Sequence, residues 1–436
     1  MNTKRPKIAV IGAGWAGLSA AVSLIHRADI SLFEAGRQAG GRARAIAGKD
    51  DGFSFLDNGQ HILLGAYHHG VQTLMQHIGV QPESAFLRQP LRWYIHEGLQ
   101  FQTASLPAPW HLLVGILRAK NLSFSLKIKL LSDMSALQRW AAHHKTDLTV
   151  AKWLRTRNVP RSLLGQFWQP LVWGALNTPL EQASLRILCN VLNDGVWSEK
   201  ANSDYLLPKQ DLGRIVAEPA LDFLHKHGAK IHLETRVSHL NHHIDGRIEI
   251  NGEIFDAVVL AVAPYHVDAL LPEDTPDYIQ TAYQSLHYHA ITTVYLRYAQ
   301  AVKLPAPLTG FADGTAQWVL HRGTLGLPDN EVVVVISVSD CTEAWKDKDL
   351  AEKVHADIKR VCPDLDKPEA VRIITEKRAT TAATVDFIQP DFSWLHHRRI
   401  YPAGDYLHPR YPATLEAAVQ SGFAAAEKLM LDLRFE

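Results

Sequence analysis

Gly12, Gly14 and Gly17 are spaced as Gly-x-Gly-x-x-Gly, straight after the apolar run at 8–11 and straight before a helical pattern that opens Trp15-Ala16-Gly17. That spacing is chemistry for an anion. One glycine turns the chain tightly, one lets the backbone approach a pyrophosphate, one lets helix pack on strand, and the helix N-terminus offers free N–H groups. A second apolar run at 30–33 ends in Glu34. Its carboxylate falls roughly 20 residues beyond the glycines, where it can accept hydrogen bonds from a ribose. Gly40-Gly41-Arg42 and Arg44 follow, adding backbone N–H groups and guanidinium forks suited to phosphate or ring oxygens.

A second group with chemical potential is Asp57-Asn58-Gly59-Gln60-His61. His61 titrates near neutrality and follows a glycine turn, so it is the first candidate for a general acid, with Asp57 second. A histidine that only fixes its loop, and a carboxylate that only caps a turn, are the plainer alternatives. Far along the chain, Gly404-Asp405 follows a short strand read over 396–402, and 412–433 reads as a helix with Pro412 in its first turn.

These groups require elements to hold them. Strands are expected at 8–11, 30–33, 53–57, 91–95, 206–208, 229–234, 247–250, 255–262, 290–298 and 331–338, with helices at 67–78, 211–227 and 348–361 and helical patterning dominant over 86–203. The alternation predicts an α/β chain: a discontinuous Rossmann-like cofactor domain from 1–85, 204–263 and 391–436, and an inserted α+β substrate domain from 86–203 and 264–390.

Composition narrows the function. The chain has 436 residues, 47% of them hydrophobic, and 45 basic residues balance 45 acidic ones. A large core is affordable, and zero net charge offers no footprint for nucleic acid. Three cysteines without Cys-x-x-Cys predict neither disulfides nor a metal site, and a cytoplasmic setting. Met1 to Lys7 is short and polar, and no long apolar run predicts a membrane span. The adjacent pairs His68-His69, His143-His144, His242-His243 and His396-His397 are read as solvated rather than ligating.

Taken together, the glycine turn, Glu34, Gly40-Gly41-Arg42 and Gly404-Asp405 resemble the flavin-containing amine oxidase and phytoene desaturase superfamily. The resemblance implies non-covalent FAD. It carries the cofactor contacts onto Gly12, Gly14, Trp15, Ala16, Gly17, Glu34, Ala35, Gly40, Gly41, Arg42, Arg44, Asn58 and Gly59, then Val237 and Ala261, and finally Gly404, Asp405, Ala413, Thr414 and Leu415. An aromatic amine cage is disfavoured: Tyr411 supplies one wall, but Thr414 stands in place of the other.

More distinctive blocks resemble the hydroxysqualene dehydroxylase family. They are Leu56-Asp57-Asn58-Gly59-Gln60-His61, Phe167-Trp168-Gln169-Pro170, Ala175-Leu176-Asn177-Thr178-Pro179, Leu206-Leu207-Pro208-Lys209 and Arg378-Ala379-Thr380-Thr381. The implied reaction in squalene and hopanoid biosynthesis replaces an allylic hydroxyl with hydrogen through protonation, ionisation and hydride capture; an FAD-dependent isoprenoid desaturase is the alternative. An isoprenoid substrate follows. Trp168, Trp173 and Trp197 are candidate tunnel walls, although ordinary packing accounts for a tryptophan equally well. The stretch 107–131 mixes Trp110, Leu117, Phe124 and other apolar residues with Arg118, Lys120, Lys127 and Lys129. That mixture suits an interfacial helix, hence peripheral contact with the inner face of the plasma membrane and association with squalene-pathway synthases.

Overall fold

The computed structural model describes residues 5–46, 52–143, 146–385 and 390–433. Met1 to Lys4 and His144, on which the targeting and histidine-pair expectations partly rest, lie outside them.

Uninterrupted apolar runs suit strands covered on both faces, and the two central strands of the first sheet, which read KIAVI and AVVL, are of this kind. The sheet contains β1 (Lys7–Ile11), β2 (Asp29–Phe33), β3 (Lys230–His232), β4 (Ala257–Leu260) and an edge strand, Ile400–Pro402. Running from that edge, the order is the Ile400–Pro402 strand, β4, β1, β2, β3, and every pairing is parallel. Ile8, Ala9 and Val10 of the central strand have no exposed surface. The fold is therefore α/β with a Rossmann-like sheet, gathered from three distant parts of the chain.

Helix α1 (Trp15–Leu24) covers this sheet beside the helix Leu415–Asp432. The two approach so closely that a Cβ on Gly422 would lie 2.1 Å from the Ala16 carbonyl oxygen and 2.1 Å from Ser19 Oγ. Ser19 Oγ donates to the Val419 carbonyl at 3.0 Å across that contact.

A second, antiparallel sheet holds β5 (Tyr288–Arg297), β6 (Leu308–Gly310), β7 (Trp318–His321), β8 (Glu331–Ile336) and β9 (Ala370–Thr381), in the order β6-β7-β8-β5-β9. Helices between 110 and 203, among them α2 (Trp110–Leu117) and α3 (Phe124–His143), build a separate core around Leu137, Trp168 and Leu188 that also takes in Trp318 and Leu320 of β7. Among the described residues no helix is long and apolar enough to cross a membrane.

Four expectations about elements are corrected. Residues 53–56 form no strand, because side chains rather than a ladder hold them: Ser54 N donates to Glu331 at 2.9 Å and Arg322 donates to the Phe55 carbonyl at 2.9 Å. His396 and His397 belong to a short helix, Ser393–His397, started by the Asp391 carboxylate accepting from Ser393 N, and the strand begins only at Ile400. Pro412 stands outside the last helix, since Ala413 has φ +67° and Thr414 is the N-cap, its hydroxyl accepting from Ala417 N at 3.0 Å. Strands β6, β7 and β9 were not foreseen. In β9 charged residues interrupt the pattern, as suits an edge.

Candidate active site

The site begins where β1 ends. Gly12 has φ +101°, a region open to glycine, and a Cβ there would meet the Ala261 carbonyl oxygen at 2.5 Å. A Cβ on Gly17 would lie 1.9 Å from the Gly12 carbonyl oxygen, so turn and helix touch backbone to backbone. No side chain caps α1 at Gly14, which leaves its first-turn N–H groups available to an anion. Glu34 stands at the end of β2 with one carboxylate oxygen accepting from Ala13 N at 2.8 Å and the other from Gly36 N at 2.7 Å, so it pins the turn to the segment that follows. Ala35 is exposed beside it.

Gly40 and Gly41 fold back over this turn. Gly40 bridges to Gly14, and Gly41 has φ +60°. A Cβ added at Gly14 would find nothing nearer than Gly41 Cα at 3.9 Å, so the two glycines bound a gap that a side chain would close. Arg44 is turned onto the Gly41 carbonyl. Arg42 reaches the other end of the chain: its guanidinium donates to Asp405 Oδ1 at 2.5 Å and to the Ala379 carbonyl at 2.7 Å. The Gly404-Asp405 turn is itself fixed, because Gly404 N donates to Ser421 Oγ at 2.9 Å and Ala413 N to the Asp405 carbonyl at 3.2 Å. Thr414 and Leu415 open the last helix next to it.

A dinucleotide fits this arrangement. Uncapped N–H groups, a glycine-walled gap, a carboxylate at the ribose position and an arginine converge, as a pyrophosphate flanked by sugars requires. Val237 lies apart, 7% exposed and packed with Phe33 and Ile248 after β3, while Ala261 N donates to the Ile11 carbonyl at 2.8 Å beside Gly12.

The Asp57–His61 segment crosses from this cradle to β5. Asn58 N donates to the Arg44 carbonyl at 3.0 Å, and Asn58 Nδ2 donates to Glu376 of β9 at 2.9 Å. The two candidate acids face different surroundings. Asp57 is 1% exposed; one oxygen accepts from Leu212 N at 3.3 Å and the other has no protein partner. Burial, with help from nearby Asp211, pushes its carboxyl up to about 8, so it is mostly protonated at neutral pH. His61 is pushed the opposite way, down to about 4, first by burial and then by the Arg42 guanidinium, so its ring is neutral. A methyl group on Gly59 would sit 3.9 Å from Thr293 Oγ1 and 4.0 Å from His61 Nε2 with nothing closer. These two polar atoms flank the same face of Gly59, and Thr293 Oγ1 has no protein partner.

Other expected residues are placed differently. Trp168 is fully buried against Trp153 and Phe167 at ring distances of 5.7 and 5.2 Å and belongs to the core. Trp197 packs partly buried on the same core, and Trp173 lines a cavity of about 450 Å³ with Phe311, Trp318 and Ile336. That cavity also carries Gln169, Asp313 and Lys353 and includes no residue of the dinucleotide cradle, so it is not the dry pocket the chemistry asks for. Lys129, counted among the surface cations, is instead half-buried on Asp133 at 2.6 Å and the Arg157 carbonyl at 2.9 Å. Thr293, Glu376 and Ala379 were missed as site residues. The Arg378–Thr381 block was a visible signal, but its strand was not recognised.

A nucleotide cradle at the carboxyl ends of a parallel sheet, completed by the distant Gly404-Asp405 turn, defines an FAD-dependent oxidoreductase. The chain belongs to the flavin containing amine oxidoreductase family, whose model matches residues 15–430. It is similar to the hydroxysqualene dehydroxylase of Zymomonas mobilis, with 27% identity over 96% of this chain and 97% of that protein, and to that of Rhodopseudomonas palustris, with 28% identity over 97% of each. In fold it resembles cyclohexylamine oxidase from Brevibacterium oxydans, at a TM-score of 0.71 and 16% identity, covering 99% of this chain and 100% of that one.

Proposed function

We propose that this chain replaces the allylic hydroxyl of hydroxysqualene with hydrogen, giving squalene. The observation that carries the reading is the end-to-end similarity to hydroxysqualene dehydroxylases, which spans 97% of each relative. Reduced FAD, when bound, supplies the hydride that takes the place of the departing hydroxyl. The chain supplies the rest.

We assign the proton donor to His61, whose Nε2 lies on the same side of Gly59 as Thr293, and the hydroxyl's second hydrogen bond to Thr293 Oγ1, which is buried and has no protein partner. His61 holds few protons at neutral pH, first because it is buried and then because the Arg42 guanidinium lies near. An anionic cofactor bound beside Arg42 would oppose the second of these causes and so raise the ring's proton affinity in part. Asp57 is assigned a positioning role, keeping the loop closed through Leu212 N. Gly14, Glu34, Gly41, Arg42, Asp405 and Thr414 would hold the cofactor.

The reading extends to the surface through which a thirty-carbon substrate arrives. Leu106, Trp110, Leu117, Phe124 and Ile128 are 42%, 57%, 36%, 71% and 45% exposed around the α2–α3 hairpin, and Arg118 and Lys120 are exposed beside them. Bulky apolar groups with flanking cations suit an anionic lipid surface.

Anaerobic incubation of the reduced enzyme with hydroxysqualene tests the reaction. Squalene forming in step with flavin oxidation is expected. A more unsaturated product from the oxidised enzyme, or no turnover with FAD bound, would overturn it.

A further inference from the structure

Where β5 begins, His289 pairs with Thr380 of β9, next to the Ala379 carbonyl that Arg42 holds, and three residues of different chemistry meet there. His289 is 6% exposed near that strand's first residue, and Asp340 and Cys341 lie in the turn that leaves β8. His289 Nδ1 is 2.9 Å from Asp340 Oδ2 and 3.6 Å from Cys341 Sγ, and the sulfur is 3.8 Å from the same carboxylate oxygen. Imidazole, thiolate and carboxylate bound to one tetrahedral zinc ion are separated along the polyhedron's edges by about 3.3–3.6 Å, given metal–ligand bonds of about 2.0–2.3 Å. The three observed separations fall within about 0.5 Å of that.

The surroundings hold each donor in position. Gln182 Oε1 lies 3.1 Å from His289 Nε2, the placement that keeps a proton on Nε2 and the lone pair on Nδ1, facing the other donors. The outer oxygen of Asp340 accepts from Ala290 N at 2.9 Å, which leaves the inner one directed at the ring. The turn is held in turn by Asn177, whose Oδ1 accepts from Val338 N at 2.6 Å while its Nδ2 donates to the His289 carbonyl at 3.3 Å. Cys341 is exposed, so an ion has a route in and a fourth corner open to water. One soft thiolate, one imidazole and one carboxylate select zinc over magnesium or calcium.

We propose that His289, Asp340 and Cys341 form a zinc-binding site whose ligands are none of the residues assigned to the cofactor or to the substrate hydroxyl above. The alternative is a bare ion pair in which a protonated His289 donates to Asp340. The two differ in what the protein retains.

The test is equilibrium dialysis of the FAD-loaded enzyme against zinc chloride with a competing chelator, with bound metal measured by atomic emission. One zinc per chain, held at about 1 µM or tighter, is expected. Cys341→Ser, a substitution at an exposed position, lowers that affinity at least about 100-fold. Gln182→Ala lowers it about tenfold by freeing the ring. Cys362→Ser, elsewhere in the chain, changes nothing. Zinc also raises the melting temperature of the parent enzyme but not of Cys341→Ser. No stoichiometric zinc in the parent, or zinc retained undiminished by Cys341→Ser, overturns the site.

Discussion

Arg42 and Asp405, 363 residues apart in sequence, are joined by a 2.5 Å charge-assisted hydrogen bond, with the Asp405 side chain only 9% exposed. The N-terminal glycine segment and the C-terminal Gly-Asp turn are thus one structure. Replacing Arg42 with alanine removes a charged donor worth about 1.5–3 kcal/mol. FAD affinity should fall about tenfold to a hundredfold, read from flavin fluorescence released on dilution. Arg42→Lys should restore only part of it, because a point charge cannot reproduce the fork that spans Asp405 and the Ala379 carbonyl.

Asp57 sets one arm of the stability–pH curve. Its folded carboxyl, near 8, lies above its unfolded value of 3.8, so between those limits the folded state binds more protons. Stability therefore declines as pH rises through that window, by up to roughly 1.4 kcal/mol per pH unit. Because His61 opposes this slope below about 6.5, Asp57→Asn should flatten the arm in melting curves taken from pH 6.5 to 8.

His61 sets the opposite arm. Its folded value, near 4, lies below 6.5, so the unfolded chain binds more protons between them and stability falls as pH drops through that interval. His61→Gln should remove that loss. The same variant should cut turnover of hydroxysqualene about 10²–10⁴-fold, and in the parent kcat should rise as pH falls. A pH-independent rate would dismiss His61 as the donor.

For the hairpin, Trp110→Ser combined with Phe124→Ser should weaken binding to phosphatidylglycerol vesicles about tenfold or more, since each aromatic contributes through buried apolar area. Turnover of detergent-dispersed substrate should stay unchanged. Equal vesicle binding by parent and variant in a sedimentation assay would count against lipid contact.

Gly422→Val forces a branched side chain into backbone 2.1 Å from its first atom. Overpacking of this kind costs about 3 kcal/mol or more, which should appear as a lower melting temperature and lost flavin. Gly165→Ala, where an added Cβ meets nothing within 4 Å, serves as the control and should melt with the parent.

The glycine turn at Gly12 to Gly17, Glu34 at the end of its strand and the fold-back at Gly40 to Arg42 were readable in sequence as local geometry, because each carries its reason within a few residues; that they hold the cofactor is the proposal above. The pairing of His61 with Thr293 across Gly59 was half readable. His61 stands in a distinctive block, but Thr293 looks like any strand threonine until β5 is laid beneath Gly59. Protonation states were unreadable, since the values of Asp57 and His61 are set by burial and by Asp211 and Arg42, which only folding brings near. The His289 cluster was invisible for the same reason: its members lie 51 and 52 positions apart and match no ligand spacing.

The edge strand Ile400–Pro402 and the Gly422 contact have a consequence for how the chain comes into being. During synthesis β1 and α1 leave the ribosome long before the segment that completes their sheet. Until it arrives, an unpaired strand edge and a bare helix face persist, inviting chaperones or wrong partners. Flavin loading should therefore come late, and a nascent polypeptide halted before residue 400 should be colourless and sensitive to proteases.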